Sequence, residues 1–370
     1  MTPTNKKITL GIVSLLIIVA IIFISAKKSP HIDSSTAPDV TAAVVASKAM
    51  HYPMAKELVA PAGFINSTPF KLSDLVGKKV ILIDFWAYSC INCQRTIPYL
   101  NAWYDKYKDD GLVIVGVHAP EFDFEKNYAN VAAAVQKAGI TYPVVLDNDM
   151  GTWNAYNNQY WPNEYLIDID GYVVHNHIGE GDYAATEQAI QAALTERAQR
   201  LGTNQATPTG IVDPLKAIPL DNNGVQSPET YFGAARNQYL ANGTQGTVGN
   251  QTLTPNLGNT SQINALYLDG TWNFQNQYAE TVSPTAGITY HYSAKHVYMV
   301  ASAKNPVKLK ITIDGQLPGI NAGADVNADG SSTIQANRLY DLIDGTDYGS
   351  HTLHIEVQGA GLDAYTFTFG

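Results

Sequence analysis

Two cysteines, Cys90 and Cys93, are the only ones in 370 residues, and Ile91 and Asn92 separate them. A disulfide between residues so close in sequence closes a tiny loop and removes little entropy from the unfolded chain, so the pair is a weak staple. Redox exchange suits the spacing better. The stretch FWAYSCINCQRTIP follows an apolar, β-branched run, KVILIDFW, and opens a helical pattern over residues 91–108. The first thiol then sits at a helix N-terminus, where unpaired N–H groups and the helix dipole favour a thiolate. Cys90 is the expected nucleophile and Cys93, one turn in, the resolving thiol. A zinc site needs further ligands, and no other cysteine and no neighbouring histidine supplies them. This chemistry calls for neither metal nor cofactor.

The surrounding pattern supplies the elements that would position the pair. KVILIDFW reads as a buried central strand. The helical pattern after it is interrupted by Pro98; a strand at 112–117, a helix at about 124–138 and a short strand at 142–146 follow. A Trp/Asn/Tyr-rich turn or helix leads into a hairpin, EYLIDIDGYVVHNHI, turning at Asp170-Gly171, and a helix over about 183–200 closes the unit. This order describes a mixed central sheet covered by helices. Residues 201–225 carry prolines without periodicity and read as a linker. Beyond them come short alternating strands such as VKLKITIDG, HTLHIEV and AYTFTF, the pattern of an all-β, jelly-roll-like sandwich over 226–370.

Residues 8–26 hold no charge. As a helix they span roughly 28 Å, about the thickness of a bilayer core. A single transmembrane anchor is expected for 1–28; a cleaved signal is the other reading, because Ile24-Ser25-Ala26 resembles a cleavage site. Residues 29–55 read as a spacer of Pro, Ser, Thr and Ala. The net charge of −10 includes the four lysines of 1–28, so the remainder is more acidic still. Such a body is a poor nucleic-acid binder and is repelled by anionic lipid. The expected location is the cytoplasmic membrane, single-pass, with the bulk of the chain extracytoplasmic.

ILIDFWAYSC resembles the active-site strand of the thioredoxin fold, and the likeness extends beyond the cysteines. Asp84 falls where thioredoxins keep a buried carboxylate, Trp86 where they keep a tryptophan, Pro98 where they kink the active-site helix, and Tyr160-Trp161-Pro162 where they place a cis-proline. The segment 118–150 looks like the insertion of the TlpA/ResA branch. YSCINCQRTIPYL, GVHAPEF, WPNEYLID and IGEGDY together resemble the C-terminal region of DipZ-type proteins, in which a β-sandwich similar to carbohydrate-binding modules follows the redox domain. That resemblance, strong over 60–200 and looser beyond 226, implies a thiol–disulfide oxidoreductase of residues 56–200 that reduces or isomerises protein disulfides. It implies Asp84 as a proton relay to Cys93. Trp86, Trp161 and Pro162 become substrate-binding residues, and Glu121 and Glu180 tuning groups near the thiols. A single apolar segment stands here in place of the multi-span domain of DipZ proteins. The implied electron donor is therefore a separate CcdA/DsbD-like membrane protein.

Three features of the sequence stand outside that reading. Asp325, Asn327 and Asp329 fit the first half of a calcium loop, but Ala336 occupies the position of its bidentate glutamate. Tyr267, Trp272 and Tyr340 offer either a sugar-stacking face for cell-wall glycan or core packing. His175 and His177 share one strand face without a third ligand. Two rival functions remain open at this point. One is a glycan-binding adhesion protein with an inert thioredoxin domain; the other is a peroxiredoxin-like peroxidase, whose Pro-x-x-x-Thr-x-x-Cys pattern is missing.

Overall fold

The computed structural model describes residues 40–203, 206–215, 217, 224–254 and 262–370. The apolar stretch 8–26 and the first part of the spacer lie outside them. Among the described residues no helix is long and apolar enough to cross a membrane. Residues up to His51 form a unit of their own. Its described part is helix α1, Val40–His51, so residues 40–51 of the expected spacer are helical. Four alanines favour the helix, and Lys48 and His51 in its last turn complement its dipole.

The second unit, Tyr52–Gly370, contains two sheets. The first has six strands in the order β1-β4-β3-β2-β5-β6. They are β1 Gly63–Ile65, β2 Val80–Trp86, β3 Leu112–His118, β4 Val144–Leu146, β5 Asn163–Ile167 and β6 Val173–Ile178. β2, β3 and β4 run parallel; β1, β5 and β6 are antiparallel to their neighbours. The sheet is mixed, as the sequence pattern predicts.

Every residue of β2 is buried, which explains its unbroken apolar run. Val80, Leu82 and Trp86 face one core with helices α2, Ile91–Tyr107, and α5, Tyr183–Arg200. Ile81, Ile83 and Phe85 face another, with Leu58, Val117 and Trp153. α2 runs on through Pro98, which lies inside the helix. The helix expected at 124–138 is a 3-10 turn, Asp123–Lys126, followed by α3, Tyr128–Lys137; α4, Gly151–Ala155, is a short helix before the hairpin.

The C-terminal region is all β. Its strands are β7 Thr230–Tyr231, β8 Gly249–Leu253, β9 Leu266–Phe274, β10 Ala279–Thr281, β11 Thr285–Ala303, β12 Val307–Ile313, β13 Ser331–Ile334, β14 Arg338–Gln358 and β15 Leu362–Phe369. They are joined in one antiparallel hydrogen-bonded system. β11 pairs with β9 near its start and with β15 near its end, while β10 bridges β9 and β15, so the pairing closes around a shared core. Trp272, Tyr340 and Tyr267 are 0%, 2% and 6% exposed, so the sugar-stacking face is corrected to core packing.

Candidate active site

β2 ends at Trp86, and four residues later Cys90 caps α2. The turn is held by the Cys90 N–H donating to the Ala87 carbonyl at 3.2 Å. The Cys90 sulfur accepts the Cys93 N–H at 3.3 Å, one of the orphan donors of the first helical turn. Its thiol donates to the Trp161 carbonyl at 3.8 Å. Cys90 is half-buried and Cys93 is 1% exposed; both are free thiols. Burial pushes the Cys93 thiol well above its ordinary ionisation range, and the neighbouring Cys90 and Asp84 act in the same direction. A half-buried thiol at the helix start thus precedes a buried one whose proton is hard to remove.

Trp161 and Pro162 lie at this site, and the bond between them is cis. The Trp161 indole packs on Trp153 at 4.3 Å and donates to the Ala119 carbonyl at 2.9 Å. Asp84 lies in β2 on the Cys93 face, 1% exposed, and burial lifts its carboxyl to about 7. Its Oδ1 has no hydrogen-bond partner among the described residues.

Several expected residues are placed elsewhere. Trp86 is 1% exposed and sits edge-on to His118 at 5.0 Å, so its ring offers substrate no surface. Gly116 on β3 makes that placement possible, since a Cβ there would meet the Trp86 indole nitrogen at 3.0 Å. Glu121 is committed to Arg236 at 2.8 Å and accepts from the Tyr231 hydroxyl at 2.9 Å. Glu180 pairs with Arg95 at 3.2 Å, both side chains 5% exposed. Glu121 fastens the redox domain to the all-β domain, whereas Glu180 holds Arg95 within the redox domain; the charges acting most on Cys93 are those of Cys90 and Asp84. The calcium candidate is also corrected. Asp325 takes a two-pronged ion pair from Arg338 at 2.6 and 2.8 Å, Asp329 accepts from the Ser331 N–H and hydroxyl, and Asn327 donates to that hydroxyl.

Sequence reasoning missed three buried ionisable residues. Glu125 accepts from the Ser89 N–H and hydroxyl and from the N–H groups of Glu121 and Phe122. Burial and the charge of Glu121 raise it to about 7. It ties the residue before Cys90 to the loop after β3. His118 Nε2 accepts the Tyr88 N–H at 3.3 Å, and burial lowers the imidazole to about 3. Glu164 on β5 lies directly opposite Asp84. His118 and Glu164 fall inside GVHAPEF and WPNEYLID, but their spacing assigns them no role; register and loop closure bring all three to the thiols.

The all-β domain packs beside the cysteines as well. Ile91, the residue after Cys90, is buried with Phe122 against Tyr298, Val300, Leu339 and Tyr365. Arg95, one turn further along α2, donates to the Tyr298 hydroxyl at 3.4 Å.

Residues 54–176 match the AhpC/TSA family, and residues 227–370 match a family described as a thioredoxin like C-terminal domain. The protein DipZ of Mycobacterium tuberculosis is 36% identical over 321 residues, which cover 85% of this chain and 43% of DipZ. The chain is similar in sequence to thiol–disulfide oxidoreductases. It spans less than half the length of DipZ. The thiol-disulfide oxidoreductase ResA of Bacillus thuringiensis is 38% identical over 117 residues, 31% of this chain and 64% of ResA. A thioredoxin-like protein solved in its oxidized form is 29% identical and covers 39% of this chain and 96% of its own, with a TM-score of 0.36. The AhpC/TSA match spans both Cys90 and Cys93.

Proposed function

We propose that this chain reduces or isomerises protein disulfides outside the cytoplasm, tethered to the membrane through residues 8–26. The observation that carries the reading is the pairing of a half-exposed Cys90 at a helix N-terminus with a buried Cys93 beneath it, beside the buried carboxyl of Asp84. The Cys90 thiolate attacks a substrate disulfide and forms a mixed disulfide, releasing the first substrate thiol. Cys93 then attacks the Cys90 sulfur, which releases the second substrate thiol and leaves a Cys90–Cys93 disulfide. Asp84 takes the Cys93 proton. The two electrons are restored by a dithiol donor, for which a separate CcdA/DsbD-like membrane protein suits the reading. The backbone of Trp161 is the edge on which an extended peptide would pair. The packing of Ile91 against the all-β domain supports that domain as one wall of the substrate approach rather than a distant glycan tether.

The test is the reduction potential of Cys90–Cys93 in the fragment from Tyr52 onward, equilibrated with glutathione or dithiothreitol. A value near about −270 mV fits a reductant, and one near about −120 mV makes the protein an oxidant and reverses the assigned direction. A pair that never exchanges refutes the redox reading and leaves the all-β domain as the seat of function.

A further inference from the structure

Asp84, Glu164 and His177 occupy one row across three adjacent strands. Glu164 on β5 is the Cα partner of Asp84 on β2, and on its other side of His177 on β6. Directly paired residues point to the same face with Cβ atoms about 4.5–5.5 Å apart. The row begins beside Cys93 and ends on the edge strand of the sheet. Asp84 and Glu164 are each 1% exposed, whereas His177 is half-buried. Asp84 Oδ1 and His177 Nε2 are buried without a hydrogen-bond partner among the described residues, and the buried Glu164 carboxyl has only the Thr186 hydroxyl beside it. Leaving such atoms unpaired is costly, so a row of them beside a thiol calls for a purpose beyond packing.

Two carboxyls sharing a dry site do not both ionise, so the pair retains a proton at neutral pH. The groups facing it are Cys93 from α2, Tyr142 from the segment before β4, Tyr183 and Thr186 from α5, and His175 from β6. None of them is a cation at neutral pH that would hold both carboxyls ionised. Glu164, with two rotatable bonds beyond Cβ, reaches toward either neighbour.

We propose that Glu164 and His177 conduct the Cys93 proton from Asp84 to solvent across the sheet. This rests on the disulfide-exchange reading above. The Cys93 thiol passes its proton to the Asp84 carboxylate and becomes a thiolate. Asp84 passes that proton to Glu164, which yields its own to His177, and the imidazolium releases it to water. The Cys93 thiolate attacks the Cys90 sulfur of the mixed disulfide. One S–S bond forms, one breaks, and the substrate thiolate leaves with the electron pair. Glu164 and His177 are thus positioning residues that act through Asp84.

The experiment uses Ellman's reagent on the reduced fragment from Tyr52 onward. Cys90 attack releases one coloured thiolate in a first phase, and Cys93 attack on the mixed disulfide releases a second. The expected result in Glu164→Gln and His177→Ala is a first phase that persists and a second phase slowed about tenfold or more below neutral pH. Imidazole in the buffer restores the second phase of His177→Ala. Second phases with wild-type rates and pH profiles in both variants overturn the relay. If wild type shows no first phase, the disulfide-exchange reading fails and the relay falls with it. Should Glu164→Gln fail to fold, His177→Ala at the sheet edge carries the test alone.

Discussion

The Tyr88 hydroxyl donates to the Asn337 carbonyl at 3.1 Å, although the two residues lie 249 positions apart. Tyr88 stands two residues before Cys90, and Asn337 immediately precedes β14. The turn that presents the nucleophile is therefore held from the all-β domain, and the same seam buries Ile91 between the cysteines.

Loosening that seam should change both stability and thiol reactivity. Leu339 is 8% exposed within the cluster that covers Ile91. Leu339→Ala should cost about 2–5 kcal/mol, the range for emptying a buried leucine site. It should also speed alkylation of Cys90 by iodoacetamide. Urea unfolding followed by tryptophan fluorescence, with alkylation timed by mass spectrometry, checks both. Unchanged alkylation would mean that the all-β domain does not limit access to the thiol.

The Arg95–Glu180 pair fastens α2 in the same region. Both side chains are 5% exposed, and a side chain at Gly370 would collide with the guanidinium. Removing one partner leaves a buried charge, at a cost of about 3–5 kcal/mol. Arg95→Met and Glu180→Gln should each lower the urea midpoint steeply. The double variant should lose less than the sum of the two, which a double-mutant cycle measures.

Asp84 and His118 should oppose each other in the pH dependence of stability. Burial raises Asp84 from 3.8 to about 7, so its contribution is full below pH 3.8 and is lost as pH rises to about 7. Burial lowers His118 from 6.5 to about 3, so its contribution is full above pH 6.5 and is lost as pH falls to about 3. At about 1.4 kcal/mol per pH unit, each spans at most about 4–5 kcal/mol over nearly the same window. Asp84→Asn should therefore gain on wild type as pH rises from 4 to 7.5 and should expose the acid lability due to His118. His118→Gln should remove that lability. Urea midpoints of the dithiol form across this range check the signs, and parallel curves for wild type and both variants would refute the assignment.

Calcium should leave the protein unaffected. A ligand that binds only the folded state raises Tm, but Asp325 already holds Arg338 through both oxygens. Scans with calcium chloride and with EDTA should coincide. A calcium-dependent rise in Tm would restore the loop D-x-N-x-D-G as a cation site.

The order of elements around the cysteines was legible because buried parallel strands and capped helices leave strong local patterns. The helix over 183–200 follows its sequence pattern, and β2 is the apolar run that KVILIDFW announces. The roles of Trp86, Glu121 and Glu180 were not legible, because exposure depends on what packs over a residue. Trp86 fills space above Gly116, and both glutamates meet arginines distant in sequence. The Asp84–Glu164–His177 row was hidden for a related reason: strand register decides which residues face each other, and a hairpin pattern shows the turn without showing its partner strand.

Glu125 offers the sharpest test of how the nucleophile is presented. Four hydrogen bonds converge on its carboxylate, three of them from backbone N–H groups of the two loops that meet beside Cys90. An amide in its place can turn only one oxygen toward those donors and presents N–H groups to the rest. Each buried donor left unpaired costs about 1–3 kcal/mol. Glu125→Gln should thus destabilise the protein by about 2–4 kcal/mol on this scale and slow the first phase of the Ellman reaction, because Ser89 no longer fixes the residue that follows it. Glu125→Asp, which keeps the charge but shortens the reach, should fall between the two. If Glu125→Gln loses stability while Cys90 reacts at the wild-type rate, the carboxylate serves the fold alone. If both fall together, and aspartate recovers part of each, the loop anchor and the presentation of the thiol are one device.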